Sequence, residues 1–151
     1  MIRNAHIDDV KPIYALLQHF SDKQLLLGRS LSSLYDQLRD FVVYEENDLG
    51  AGIIGVCALH VCWENLAEIR SLAVPEEHQR KGIGSALVRV CLEEAVRMGI
   101  KRVFTLTYQP EFFNALGFRG IDKGKLPHKV WSDCIKCPKF PDCNEEAMIW
   151  E

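Results

Sequence analysis

The chain has 151 residues, 48% hydrophobic and 26% charged, which fits one globular domain (residues 1–151) long enough to bury a core. Its net charge of −3 gives no general attraction to nucleic acid or anionic lipid, so neither is expected as a partner. The longest apolar stretch, Gly52–Trp63, is too short and interrupted to span a bilayer, and the opening MIRNAHIDDV lacks the apolar core of a signal peptide, so a cytoplasmic location is expected.

Ile2–His6 reads as a first strand, with Asp8 or Asp9 capping the helix that follows and Pro12 in its first turn. Ile13, Leu16, Leu17 and Phe20 form that helix's apolar stripe. Ser30 then caps a second helix expected to bury Leu31, Leu34, Tyr35 and Leu38. Phe41–Glu45 and Gly52–Cys62 are β-rich runs joined by Asn47-Asp48-Leu49-Gly50, the pattern of an antiparallel hairpin. Leu66–Val74 supplies the next strand. A helix opening at Gly82 shows Ile83, Leu87, Val90 or Cys91, Ala95 and Met98 on one side and ends at Gly99. Arg102–Leu106 is a strand parallel to Leu66–Val74 if that helix is a right-handed crossover. Pro110 begins a short helix that Gly117 closes, Phe118–Ile121 returns as strand, and Ala147–Trp150 is the last strand. The order describes a single α/β (α+β) domain, a mixed central β-sheet flanked by helices.

Between the strand ending at Val74 and the helix opening at Gly82 lies Gln79-Arg80-Lys81-Gly82-Ile83-Gly84-Ser85. The first turn of a helix has N–H groups without intrahelical acceptors and carries the positive end of the macrodipole, which suits a diphosphate. Gly82 and Gly84 lack a Cβ and let phosphate oxygens near the backbone, while Arg80 and Lys81 add positive charge. No Gly-Lys-Ser/Thr follows, so this is not a Walker A loop, and the dinucleotide G-x-G-x-x-G fingerprint is incomplete.

A Gln three residues before the first glycine, with a strand before and a helix after, resembles the acyl-CoA-binding motif of the GNAT superfamily of N-acetyltransferases. From Arg29 onward the chain looks more narrowly like the acetyltransferase domain of short-form N-acetylglutamate synthases, which lack an amino-acid-kinase domain. The residues that carry this are Leu27-Gly28-Arg29-Ser30, Ala67-Glu68-Ile69 leading to Leu72-Ala73-Val74, Phe112-Phe113 with Gly117-Phe118, and Leu126-Pro127 with Lys129-Val130-Trp131 and Asp133-Cys134.

The resemblance implies the GNAT fold, acetyl-CoA as cosubstrate and a small amino acid as acceptor, with L-glutamate and a role in arginine biosynthesis favoured. Small domains of this kind often form homodimers. The cosubstrate would lie on Gln79, Arg80, Lys81, Gly82, Ile83, Gly84 and Ser85, with Leu72, Ala73 and Val74 along its pantetheine arm and Phe113 beside it. Glu68 matches the general-base position; a half-buried carboxylate can be raised toward the working pH by desolvation, whereas pairing with Arg70, two residues along the same face, would hold it down. Many relatives place a general-acid Tyr four residues before the glycine of the Gly-Phe pair; here that residue is Phe113, so Thr107, Tyr108 or water protonates the thiolate, with Tyr108 otherwise a pocket wall. Arg29, Ser71 and Lys129 fall at substrate-binding positions, the cations suited to glutamate's carboxylates; apart from the resemblance, Arg29 and Lys129 read as solvated cations.

Six cysteines without a secretory signal point to reduced thiols or a metal rather than a disulfide framework. Cys134, Cys137 and Cys143, with His128 as a fourth ligand, offer one close pair plus a lone cysteine, and structural zinc sites usually bring two close pairs. A proline-bearing loop carrying thiols is the expected reading, with no metal bound; Cys57, Cys62 and Cys91 read as small core residues.

Overall fold

A computed structural model describes residues 1–26, 28–46, 52–126 and 145–151. Its elements in chain order are β1 (Ile2–Asn4), α1 (Val10–Asp22), α2 (Leu31–Asp36), β2 (Phe41–Glu45), β3 (Ile53–Trp63), β4 (Leu66–Ala73), α3 (Ile83–Arg97), β5 (Val103–Thr107), α4 (Pro110–Ala115), β6 (Arg119–Gly120) and β7 (Glu146–Trp150). The strands form one seven-stranded sheet in the order β1-β2-β3-β4-β5-β7-β6. Only β4 and β5 run parallel, because α3 carries the chain back between them; the other pairs are antiparallel. The hairpin residues 47–51 lie outside the described residues.

Each face of the sheet has its own core. Under α3 and α4 lie Cys57, Leu59, Ile69, Val103, Phe113 and Phe118; under α1 and α2 lie Phe41, Val43, Val56, Ala58 and Ala73. Helix α1 buries Val10, Ile13, Leu17 and Phe20, the spacing of one helical face. Asp9 does not cap α1 through its side chain. It accepts the His6 N–H at 2.6 Å, closing the one-turn 3-10 helix Ile7–Asp9, and pairs with Arg3 at 2.7 Å. The Arg3 guanidinium holds the Asp9 carboxyl below its usual range and also meets Glu45 at 2.6 Å, tying β1, β2 and the start of α1 together.

Two helix faces differ from the sequence expectation. In α2, capped as predicted by Ser30 Oγ accepting the Ser33 N–H at 3.0 Å, only Leu34 is buried, while Leu31 and Tyr35 are exposed. A helix of fewer than two turns offers the core one side chain, and Leu38 falls in the following 3-10 turn, half-buried. In α3 the buried arc is Ile83, Leu87, Val88, Cys91, Leu92 and Ala95; Met98, at the C-cap where the chain turns away, is 47% exposed. Lying flat on a sheet, this helix buries a wider arc than a single stripe.

Candidate active site

Two local irregularities in β4 open a cleft. The β4–β5 ladder registers only at Ala67–Val103 and Glu68–Phe104; past it the backbones part, and Thr105 Oγ1 donates to the Ile69 carbonyl at 2.9 Å. On its other edge β4 pairs Arg70 with Ala58 and Ala73 with Val56, so Ser71 and Leu72 together oppose Cys57. This is a β-bulge, and Ser71 takes a φ of 56° within it, a left-handed conformation that costs a non-glycine residue about 1–2 kcal/mol. Strict alternation would turn Ser71 away from the face of Glu68 and Arg70. The bulge instead brings its Oγ to 3.5 Å from Arg29 Nη1.

The cleft has a volume of about 1160 Å3, above the ~300–1,000 Å3 of a usual small-molecule site, so it has room for two ligands. Among the described residues, five cations (Lys23, Arg29, Arg70, Arg80 and Lys123) line it against three carboxylates (Glu68, Glu76 and Glu145), the opposite balance to the chain's net charge of −3. Such walls concentrate anionic ligands.

At one end sits the turn before α3. Gly82 is the N-cap, with a φ of 83°, and the first intrahelical bond runs from the Ala86 N–H to the Gly82 carbonyl at 3.0 Å. The preceding amides therefore have no acceptor within the helix. A Cβ on Gly84 would meet Phe112 Cζ at 3.4 Å, so glycine there keeps the helix start close to α4. Gln79 donates from Nε2 to the Val74 carbonyl at 2.8 Å, bracing the turn against the end of β4. Arg80 adopts a φ of 64° and lines the cleft, whereas Lys81 is exposed and does not. Glu76 pairs with Lys23 and His19 of α1, each at 2.8 Å, joining the mouth of the cleft to the helix opposite.

In the middle lies Glu68, whose carboxylate meets Arg70 Nη2 at 2.9 Å. The ion pair that the two-residue spacing allowed is thus present, and the bulge, which begins one residue later, does not separate the partners. Arg70 thus holds one oxygen of the carboxylate from within the same strand.

The far end is built around Arg29, which does not reach for solvent. Its Nη2 donates to Ser33 Oγ at 3.0 Å and also to Gln37 Oε1, and Cζ lies 5.2 Å from the centre of the Phe41 ring. A guanidinium held on several sides keeps its charge in a fixed place at this end of the cleft. Thr107, the last residue of β5, and Tyr108 just past it line the wall; Thr107 Oγ1 accepts the Gln109 N–H at 2.8 Å, so this hydroxyl also shapes the turn into α4.

Of the residues expected at the site, Leu72, Ala73, Val74, Ile83, Gly84, Ser85 and Phe113 all border the cleft. Phe113 is almost wholly core, edge-on to Phe112 at 5.0 Å and to Phe118 at 5.2 Å, and it is Phe112 that faces Gly84. Lys129, His128, Cys134, Cys137 and Cys143 lie outside the described residues. Among the described residues no group of three or more His, Cys, Asp or Glu is arranged to hold a metal. Cys57, Cys62 and Cys91 are buried free thiols, as expected. No helix among the described residues is long and apolar enough to cross a membrane. Sequence reasoning missed Lys123, Glu145 and Phe112 in the lining; Lys123 and Glu145 lie in parts of the chain without motif or periodicity.

Comparison with known proteins agrees with this geometry. An uncharacterized N-acetyltransferase of Chlorobaculum tepidum is 38% identical over 98% of this chain and 94% of its own length. An amino-acid acetyltransferase of Mycobacterium tuberculosis is 36% identical over 90% of this chain and 78% of its own. The crystal structure of N-acetylglutamate synthase from Neisseria gonorrhoeae, complexed with coenzyme A and N-acetyl-glutamate, superposes with a TM-score of 0.89 at 28% identity. It matches 99% of this chain, which spans about a third (34%) of that longer protein. The model of the acetyltransferase (GNAT) family matches residues 8–118, and with a parted β4–β5 pair leading to a glycine-opened helix, this chain belongs to that family.

Proposed function

We propose that this protein transfers the acetyl group of acetyl-CoA to the α-amine of an amino acid, with L-glutamate the favoured acceptor. The observation that carries the reading is one continuous cleft with the open helix turn at Gly82, the Glu68 carboxylate between, and the Arg29 guanidinium at the far end. Acetyl-CoA supplies a thioester that an amine can attack directly. The amides following Gly82, with Arg80, would hold the diphosphate. Leu72, Ala73 and Val74, on the edge of β4 that β5 has left, would offer backbone groups to the pantetheine arm and the thioester oxygen. Glu68, as general base, takes the ammonium proton, directly or through one water. Arg29 fixes a carboxylate of the acceptor so that its amine lies against the thioester. Thr107 or Tyr108, both in the lining, would protonate the departing thiolate.

The relatives named for amino-acid acetylation and the N-acetylglutamate complex support an amino-acid acceptor, and the cationic lining supports an acidic one. With glutamate the product is N-acetylglutamate and the role arginine biosynthesis, in the cytoplasm. Thiol release from acetyl-CoA across the twenty amino acids tests this. Turnover highest with L-glutamate is expected; turnover confined to neutral or basic acceptors would move the acceptor assignment elsewhere, and none with any amine would leave a CoA-binding module without catalysis.

A further inference from the structure

A base that accepts a proton in each turnover must also be emptied before the next. Resting on the reading above, we propose that His60, backed by Asp40, relays the proton from Glu68 to solvent on the other side of β3. His60 and Glu68 stand directly opposite each other in the β3–β4 ladder. Opposed residues of antiparallel strands share a face with Cβ atoms about 4.5–5.5 Å apart, within span of a hydrogen bond or one bridging water. Glu68 lines the cleft, whereas His60 lines a separate groove of about 500 Å3 together with Tyr35, Asp36, Arg39 and Asp40. The two side chains therefore join the reaction cleft to a second opening on the surface.

His60 is held for this task. Its Nδ1 lies 2.7 Å from Asp40 Oδ2, and both side chains are 24% exposed. An ionised carboxylate only accepts, so Nδ1 carries the hydrogen and Nε2 the lone pair. A proton leaving Glu68 binds at Nε2, giving an imidazolium that keeps its Nδ1 hydrogen bond to Asp40. The imidazolium returns one proton to water in the groove, and both His60 and Glu68 regain their starting states. The charged groups around the ring are Asp40, Asp36 and Arg39 on the groove side and Glu68 and Arg70 on β4. His60 acts through Glu68 and does not touch substrate.

The test is the pH profile of kcat, in weak buffer, for the wild type, His60→Gln and Glu68→Gln, with and without added imidazole. The relay predicts about a tenfold loss in H60Q, below the ~10²–10⁴-fold of a group that takes the proton itself. It also predicts an unchanged KM for acetyl-CoA, an acid limb moved to lower pH, and recovery on adding imidazole; E68Q should not recover. Wild-type kcat and profile in H60Q, or a loss that imidazole does not restore, would overturn the relay and leave His60 a structural tie to Asp40. Those outcomes differ from failure of the underlying reading, in which E68Q keeps wild-type turnover or the wild type acetylates no amino acid.

Discussion

At the Gly82 end of the cleft, what is offered to a ligand is backbone from one continuous stretch; at the Arg29 end it is a side chain held by Ser33, Gln37, Phe41 and Ser71 from three different elements. Backbone amides at a helix start serve any diphosphate and tolerate changes in neighbouring side chains. A guanidinium fixed by four neighbours is selective, and a change in one neighbour disturbs it. On the proposed reading, the Gly82 end would serve a constant partner and the Arg29 end would discriminate among acceptors, with Glu68 between.

Substitutions at the two ends should have separable signatures. The largest effect is expected between them: Glu68→Gln should lower kcat by about 10²-fold or more while leaving the KM for acetyl-CoA within about twofold, as steady-state kinetics would show. Turnover unchanged at neutral pH would remove Glu68 as the base. At the acceptor end, Arg29→Ala removes a charged hydrogen bond worth roughly 1.5–3 kcal/mol, so the KM for glutamate should rise about tenfold or more and that for acetyl-CoA should not. An equal loss with a neutral acceptor would mean that Arg29 supports the fold rather than the carboxylate. Gly82→Ala tests the opposite end. A Cβ there meets nothing within 4 Å, so the effect comes from the left-handed φ of 83°, at about 1–2 kcal/mol of stability, with weaker CoA binding and an unaltered ranking of acceptors.

The smallest effect is expected where the two sides of the mouth are tied. Lys23 and His19 pull the exposed Glu76 carboxyl down from its usual 4.5 to about 2. A lowered carboxyl stabilises the folded state above its unfolded value and loses that contribution as pH falls. Melting temperatures of the wild type and Glu76→Gln should differ slightly at neutral pH, draw together between about 4.5 and about 2, and coincide below. A difference that persists at the acid end would mean that Glu76 acts by something other than its charge.

The same contrast explains what could be read from sequence. Gln79 to Ser85 is contiguous, its glycines are backbone signals, and the strand and helix around it show clear periodicity, so the turn and the helix it opens were legible; so were β2 to β5 and the parallel pairing across α3. The role of Gln79 was less so, because its hydrogen bond to the Val74 carbonyl depends on how the turn folds back on β4. At the acceptor end the position of Arg29 was visible only through family resemblance. Its holders lie as much as 42 residues away, and Ser71 reaches it through a bulge that no glycine or proline announces. The Glu68–Arg70 pair was foreseen from period-two spacing, yet sequence alone did not decide between pairing and separation. The exposure of Leu31, Tyr35 and Met98 depends on how far each helix end extends past the sheet, which apolar character alone does not encode.

On the proposed reading, one cleft holds the coenzyme on the Gly82 turn and an acidic amino acid on Arg29, with Glu68 facing the bond to be made. A crystal structure of the protein with CoA and L-glutamate bound tests it most directly. Diphosphate oxygens should lie within hydrogen-bond distance of the amides following Gly82, with a glutamate carboxylate on Arg29 and the amine beside Glu68. Coenzyme bound away from that turn, or glutamate bound without Arg29, would contradict it.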